Sequence, residues 1–256
     1  MSQMVPLFKK ELIESWRNFK FAAIVIVFSI IGILSPFTAL ILPDILGMVM
    51  DDSGVTVDIP ESTSLDSYMQ FFSNMNQMGL VIFVIVFGSI LTHEFTRNTL
   101  VNLVTKGLKR TYVIVVKASF LMLVWTVGYV ISALVAYAYT IYYWDEPVDH
   151  LLLAFSMTWL YGLFIISLIL LASTLFTNSF IAVLFSVVAV VIVMLMAGIH
   201  PDIAKYLPQY LIGNNVGLLA GEIAAGDVVW PMVITAAVSL VFILLAVIRF
   251  KKVPMN

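Results

Sequence analysis

Cysteine is absent from the chain, which excludes disulfides, thiolate metal sites and cysteine nucleophiles and leaves the redox compartment unreadable. Charge is scarce as well. Asp, Glu, Lys and Arg supply 11% of the residues against 62% hydrophobic ones, and the mean hydropathy is +1.07, far above a soluble domain. A formal charge of -2 offers nothing to nucleic acid. The first apolar run lacks a small-residue cleavage site at its end, because Ala22 and Ala23 stand at its start, so the N-terminus does not read as a cleavable signal. His93, His150 and His200 are isolated and His93-Glu94 lacks the second His of a zinc helix, which argues against an enzyme. The apolar interiors carry essentially no ionisable residue, which argues against an ion-coupled transporter.

What fills the chain instead is a series of apolar runs, near 21–42, 68–92, 118–143, 151–176, 180–199 and 230–249. At roughly 1.5 Å per residue, runs of this length cross a hydrocarbon core of about 30 Å. The expected fold is an all-α polytopic membrane protein with six transmembrane helices in one domain, 1–256, with no room for a separate soluble catalytic domain. Pro36 and Pro43 are expected to bend or end the first span, and 43–67 follows as an outside loop with six acids and no Lys or Arg. Those carboxylates match no calcium-loop spacing, so the loop reads as solvated. Tyr137, Tyr139, Tyr142, Tyr143 and Trp144 mark the outer end of the third span. Thr177-Asn178 makes a tight inner turn before the fifth.

Three stretches carry more than topology. In Met1–Lys20, Phe8, Leu12, Trp16 and Phe19 share one helical face and Lys9, Lys10, Glu14 and Arg17 lie elsewhere. This describes an amphipathic helix in the membrane interface, or simply a basic flank that orients the first span. The strictly apolar part of the second span, 78–91, reaches only about 21 Å, so its helix must start near Tyr68 and carry Asn74, Asn76 and Gln77 into the membrane. These amides, with Met78 and the adaptable Met194 of the fifth span, either line a wet path or, for the amides, sit at headgroup level. In 200–229, Gly213, Gly217, Gly221 and Ala225 recur every fourth residue beside Leu211, Leu218, Leu219 and Ile223. That ridge suits a re-entrant helix packed closely on its neighbours, the plainer alternative being a surface helix with glycine turns.

Lys and Arg number four in the N-terminus, five in 93–117 and three at the C-terminus, so twelve of the thirteen share one side, with Lys205 the exception. Twelve of the fifteen acids fall on the other. The Lys/Arg bias orients the chain with both termini cytoplasmic. The cassette 93–117 then faces the cytoplasm, and Leu100, Leu103, Val104 and Leu108 give it an apolar helical face. It either lies on lipid headgroups or docks a soluble partner.

The order Glu94-Phe-Thr-Arg97-Asn98-Thr99-Leu100, then Leu103-Val104-Thr105-Lys106-Gly107-Leu108-Lys109-Arg110 and finally Lys117 resembles the signature of ABC-2 type transporter permeases. Asn98 stands where that family usually has Gly, and Lys106–Lys109 replaces its Pro-containing turn. The resemblance extends over the whole chain through the N-terminal helix, the large loop after span one, the short turn 173–179 and the outside helical region before span six. It implies an exporter subunit of a prokaryotic cell membrane, a second permease copy or paralogous permease, and two copies of a separate ATPase carrying ATP and Mg. The chain has no phosphate loop of its own. It further implies that spans two and five line the path, and that Glu94, Arg97, Thr99, Lys106, Lys109 and Arg110 couple to the ATPase. An uncharged, Met- and Phe-rich path suits a peptide, drug or lipid-like cargo. A secondary transporter and a non-transporting scaffold or immunity protein are the alternatives.

Overall fold

The computed structural model describes residues 3–52, 60–92, 108–199 and 201–252, and every element in them is a helix. The order is α1 (Met4–Arg17), α2 (Lys20–Asp52), α3 (Ser64–Asn74), a π-helical turn (Met75–Gly79), α4 (Leu80–Phe87) and α5 (Arg110–Tyr143). Then come α6 (Leu151–Leu175), α7 (Ser179–Ile199), the single turn α8 (Pro201–Ala204), α9 (Gln209–Leu219) and α10 (Ala225–Lys251). Six segments are long and apolar enough to cross a bilayer: α2, the continuous α3–α4 rod, α5, α6, α7 and α10.

Contacts at both ends fix an up-and-down bundle. At one end Lys117 of α5 meets Ile90 after α4, Thr92 lies 2.6 Å from Ser179 of α7, and Arg110 donates to the Lys251 carbonyl of α10 at 3.0 Å. At the other, Ser67 and Thr140 share a 2.6 Å hydroxyl contact and the Trp144 indole donates to the Ser62 carbonyl. Asn215 of α9 donates to Thr158 of α6 there too. The first end collects Lys and Arg and the second collects Asp and Glu; among the described residues Lys205 at the second end and Glu11 and Glu14 at the first are the exceptions.

Several boundaries differ from the sequence expectation. Neither proline ends α2, which continues to Asp52 and takes the first ten residues of the expected outside loop into the helix. Each proline costs one backbone bond, at the Gly32 and Ala39 carbonyls here, and favours a kink, and a long apolar segment tolerates that cost. The second span starts at Ser64, four residues before Tyr68, because Thr63 and Asp66 close a reciprocal capping box. The third starts at Arg110, so Arg110 belongs to a spanning helix rather than to a separate helix over 94–110. Phe19 is not on the apolar face of α1: with φ of 56° it forms the left-handed corner between α1 and α2.

The core is built around Trp125 of α5, buried against Phe28, Phe83 and Tyr129, with ring centroids 5.4–5.7 Å apart. Its indole donates to the Trp159 carbonyl of α6 at 3.0 Å, so the largest core side chain is polar-satisfied. Beside it α2 and α5 meet through small residues. A Cβ on Gly32 would stand 2.6 Å from the Ser132 carbonyl oxygen, and Ser132 donates its hydroxyl to Phe28 O at 2.6 Å. This is the close approach that the sequence assigns to the ridge 213–225, and the ridge does not make it. Gly213 and Gly221 face open space, Gly221 lies past the end of α9 at φ +74°, and Gly217 meets only Ile223 and Glu222 of the following turn. The face that α9 packs is Leu211, Asn215, Leu218 and Leu219.

The two glycine settings predict opposite behaviour on substitution. Gly32→Leu should destabilise the protein by about 1–3 kcal/mol through overpacking. Gly213→Ala should be neutral or stabilise by up to about 1 kcal/mol, as for an exposed helical glycine. Thermal unfolding in detergent, followed by loss of the monodisperse peak, reads both.

Candidate functional site

The second span is the least apolar of the six, with a mean hydropathy of 1.4, because Asn74, Asn76 and Gln77 sit in its middle turns. The π-helical turn Met75–Gly79 falls on these residues. One extra residue in a turn rotates the remainder of the helix about its axis, and such bulges concentrate at functional sites. Asn74 turns inward and donates to the buried Ser35 hydroxyl at 3.0 Å, tying the rod to α2 beside Pro36. Asn76 and Gln77 point elsewhere, into a groove of 520 Å³ between α4, α6, α7 and α9.

The groove has a polar end and apolar walls. Its polar end is Asn76, Gln77, Tyr161 and Gln209; the Tyr161 hydroxyl donates to Gln209 Oε1 at 3.0 Å, and Gln77 donates to Ser73 at 2.9 Å. Asn76 Nδ2 is 3.5 Å from Ile212 O, and its Oδ1 is buried with no hydrogen-bond partner. The walls are apolar, from Leu80 and Ile85 on one side to Val187 and Met194 on the other. Met194 thus joins Asn76 and Gln77 across the groove. Asn74 and Met78 do not line it; Met78 lies exposed on the rod's outer surface. No carboxylate or imidazole lines the groove, and no group of three metal-ligating side chains occurs among the described residues. The arrangement can bind and release an apolar molecule bearing a polar group.

The fifth span forms one wall yet is only 11% buried along its most apolar window, against 61% for the fourth. A helix so little covered presents its remaining surface to lipid or to another chain.

A second cluster lies at the basic end. Glu11 of α1 and Lys117 of α5 form an ion pair at 3.1 Å with side chains 5% and 2% exposed, and Lys117 also donates to Ile90 O at 3.1 Å. One ammonium therefore holds the interface helix, the end of the second span and the start of the third together. Around it Leu7, Leu91, Val113, Ile114, Val116, Ala246 and Phe250 make a small apolar core of their own. Sequence reading places Phe8, Leu12, Trp16 and Phe19 on the working face of α1. The face that packs is Leu7, Glu11 and Ser15, while Leu12, Trp16 and Phe19 stay exposed, as suits a helix at a bilayer surface. The available signal was Glu11 in register with Leu7 and Ser15 at four-residue spacing, but nothing along the chain connects it with Lys117. Lys117 also corrects the expectation that the spans lack ionisable groups, since it is the eighth residue of α5.

Of the coupling residues, Glu94, Arg97, Thr99 and Lys106 lie outside the described residues. Lys109 precedes α5, exposed, its ammonium 5.9 Å from the Tyr112 ring centroid. Arg110 bonds the last turn of α10, closing a helix C-terminus that would otherwise present free carbonyls.

Six apolar helices among the described residues, a fifth span with little of its surface covered and charge gathered mostly toward the two ends define a polytopic membrane protein in contact with the bilayer. No family model matches the chain. It is similar to the uncharacterized transmembrane protein YxlG of Bacillus subtilis (strain 168), with 21% identity over 257 residues that cover 98% of each chain.

Removing one partner of the buried pair, as in Lys117→Met, should destabilise the protein by up to about 3–5 kcal/mol, because the buried Glu11 is left with only the half-exposed Lys10 at 3.4 Å. The double variant Glu11→Leu/Lys117→Met should recover most of that loss. A double-mutant cycle from denaturation in detergent measures the coupling. For the groove, a cysteine replacing Gln77 in this cysteine-free chain should react with a membrane-impermeant thiol reagent, and one replacing Asn74 should react at least tenfold more slowly.

Proposed function

We propose that the chain is the membrane-spanning permease subunit of an ATP-binding cassette exporter in a prokaryotic cell membrane, with both termini cytoplasmic. It would work beside a second permease copy or paralogue and two ATPase subunits that hold ATP and Mg. The observation that carries this reading is the junction at Lys117. A subunit without its own nucleotide site must receive motion from a partner at its cytoplasmic face. Here α1 is ion-paired to the third span, and the same lysine holds the end of the second. The segment 93–107 joins those two spans, so force applied to it or to α1 reaches both. The order of residues in 93–117 and the lack of a phosphate loop agree with the same division of labour. The groove between the second, fourth and fifth spans would hold the cargo, a peptide, drug or lipid-like molecule with an apolar body and a polar group for the end where Gln77 and Gln209 stand.

The buried Glu11–Lys117 pair also favours a second reading, an ion-coupled transporter, because ionisable groups inside a membrane domain often carry protons. Energy source separates the two. Transport into inverted vesicles should persist when the proton gradient is collapsed and stop when ATP is withheld. The reverse pattern would replace the exporter reading with the ion-coupled one.

Charge reversal at Lys106 and Lys109 together should leave the permease in the membrane but reduce ATPase co-purification at least fivefold. Arg110 is spared in that variant because it closes α10. Unchanged complex formation and unchanged transport-stimulated ATP hydrolysis would remove this segment from coupling.

A further inference from the structure

Two cavities at the acidic end share three residues. A groove of 680 Å³ opens between α5 and α6, with Tyr68 of α3 at its side. A second cleft of 580 Å³ lies between the start of α3, the α5–α6 loop and the residues after α9. Glu146, Pro147 and Val148 line both, so the loop stands where an apolar space meets a polar one.

The walls specify what could occupy them. In the groove, Val130, Leu134 and Ile141 of α5 face Leu151, Leu152 and Phe155 of α6. Three of its aromatic side chains already use their polar atoms internally or lie buried. Tyr129 donates to Phe155 O at 2.9 Å, Trp159 to Thr126 at 3.0 Å, and Tyr68 lies buried against Phe155. What these residues offer a ligand is therefore ring surface and hydrocarbon. Glu146 is the charged residue of the groove; Asp149 joins it in the cleft, and no Lys or Arg lines either. An anionic head would meet two carboxylates, with the His150 imidazole in the cleft as the basic side chain beside them. A cationic head would be paired by Glu146 and attracted by the adjoining aromatic faces. The groove's volume lies within the usual range for small-molecule sites and accommodates an alkyl chain.

We infer that this chain binds a cationic amphiphile at the acidic end, with the alkyl chain between α5 and α6 and the cationic head at Glu146, where the groove opens into the cleft. The site is separate from the groove at Asn76 and is lined by different helix faces. It rests on the transport reading only in making the ligand a cargo, since the binding itself requires no ATPase. The occupant is a molecule free to leave, and an anionic phospholipid does not fit it, because its head would stand against Glu146 and Asp149.

The test uses the full chain, without ATPase, in nanodiscs of zwitterionic lipid. Binding of radiolabelled dodecyltrimethylammonium is compared with that of dodecyl sulfate and of the neutral octaethylene glycol monododecyl ether. The expected order is cationic, then neutral, then anionic, with saturable binding of the cation. Glu146→Gln should weaken the cation about three- to fivefold, the scale of an exposed ion pair, and leave the neutral probe unchanged. Glu146→Lys should reverse the preference between cation and sulfate. Ala133→Phe, which fills the groove, should weaken the cationic and neutral probes at least tenfold. The exposed Glu146 variants keep the test valid if that one fails to fold. Equal binding of the three probes, indifference to Glu146, or a co-purified phospholipid that the cation does not displace would overturn the inference. Because no ATPase is present, failure here leaves the exporter reading standing, and loss of ATP-driven transport leaves this site standing.

Discussion

An ammonium shut away from water at the basic end of the bundle must be matched by a carboxylate, and the Glu11–Lys117 pair is where the architecture meets that demand. Burying either charge alone costs several kcal/mol, so lifting α1 from the bundle would take from Lys117 the carboxylate it is buried against. The pair thereby turns a surface helix into part of the fold. The apolar residues around it, from Leu7 to Phe250, exclude the water that would otherwise screen the attraction. Specificity of this kind is the best reason to keep an ion pair where packed hydrocarbon would be as stable. It sets which face of α1 turns inward, and so which face is left for the bilayer.

Away from that end, the bundle is held by fit and by satisfied polar groups, since lipid supplies no hydrophobic drive between helices. Gly32 brings α2 onto the backbone of α5, and the Ser132 hydroxyl uses the short distance to bond across it. Trp125 fills the centre while its indole nitrogen reaches α6. The second span is the exception to this tight arrangement. Its π-helical turn splits three neighbouring amides between two tasks, Asn74 binding α2 while Asn76 and Gln77 face the groove. A regular α-helix would also distribute them around its circumference, but the turn that rotates the chain sits at the membrane depth where polar side chains are costly.

Function depends on where unspent polarity remains. In the groove it is the amides of Gln77 and Gln209 at one end of an apolar cavity; at the acidic end it is a carboxylate beside aromatic rings. Neither place gathers groups for bond-breaking chemistry, and both suit reversible binding of molecules that are mostly hydrocarbon. The basic end, by contrast, is mechanically connected, because one lysine side chain touches three helical segments.

Six helices, their alternation and the segregation of charge to the two ends are determined by the sequence alone, because hydropathy and charge act residue by residue against lipid and need no knowledge of neighbours. That the second helix extends upstream through Asn74, Asn76 and Gln77 was legible too, from a span too short in apolar residues to cross unaided, whereas the groove that Asn76 and Gln77 share with Met194 came from the packing. Boundaries were less so: Pro36 and Pro43 read as places where the first span bends or ends, yet α2 continues through both, since an apolar environment penalises an open backbone more than a kink. The glycines were legible as small residues but not as contacts. Gly32 is pressed against α5 while Gly213, part of a more conspicuous repeat, faces nothing. The pairing of Glu11 with Lys117 and the meeting of two cavities at Glu146 were decided only by the tertiary structure. Both depend on distances between residues far apart in the chain, and only the packing of the helices sets those distances.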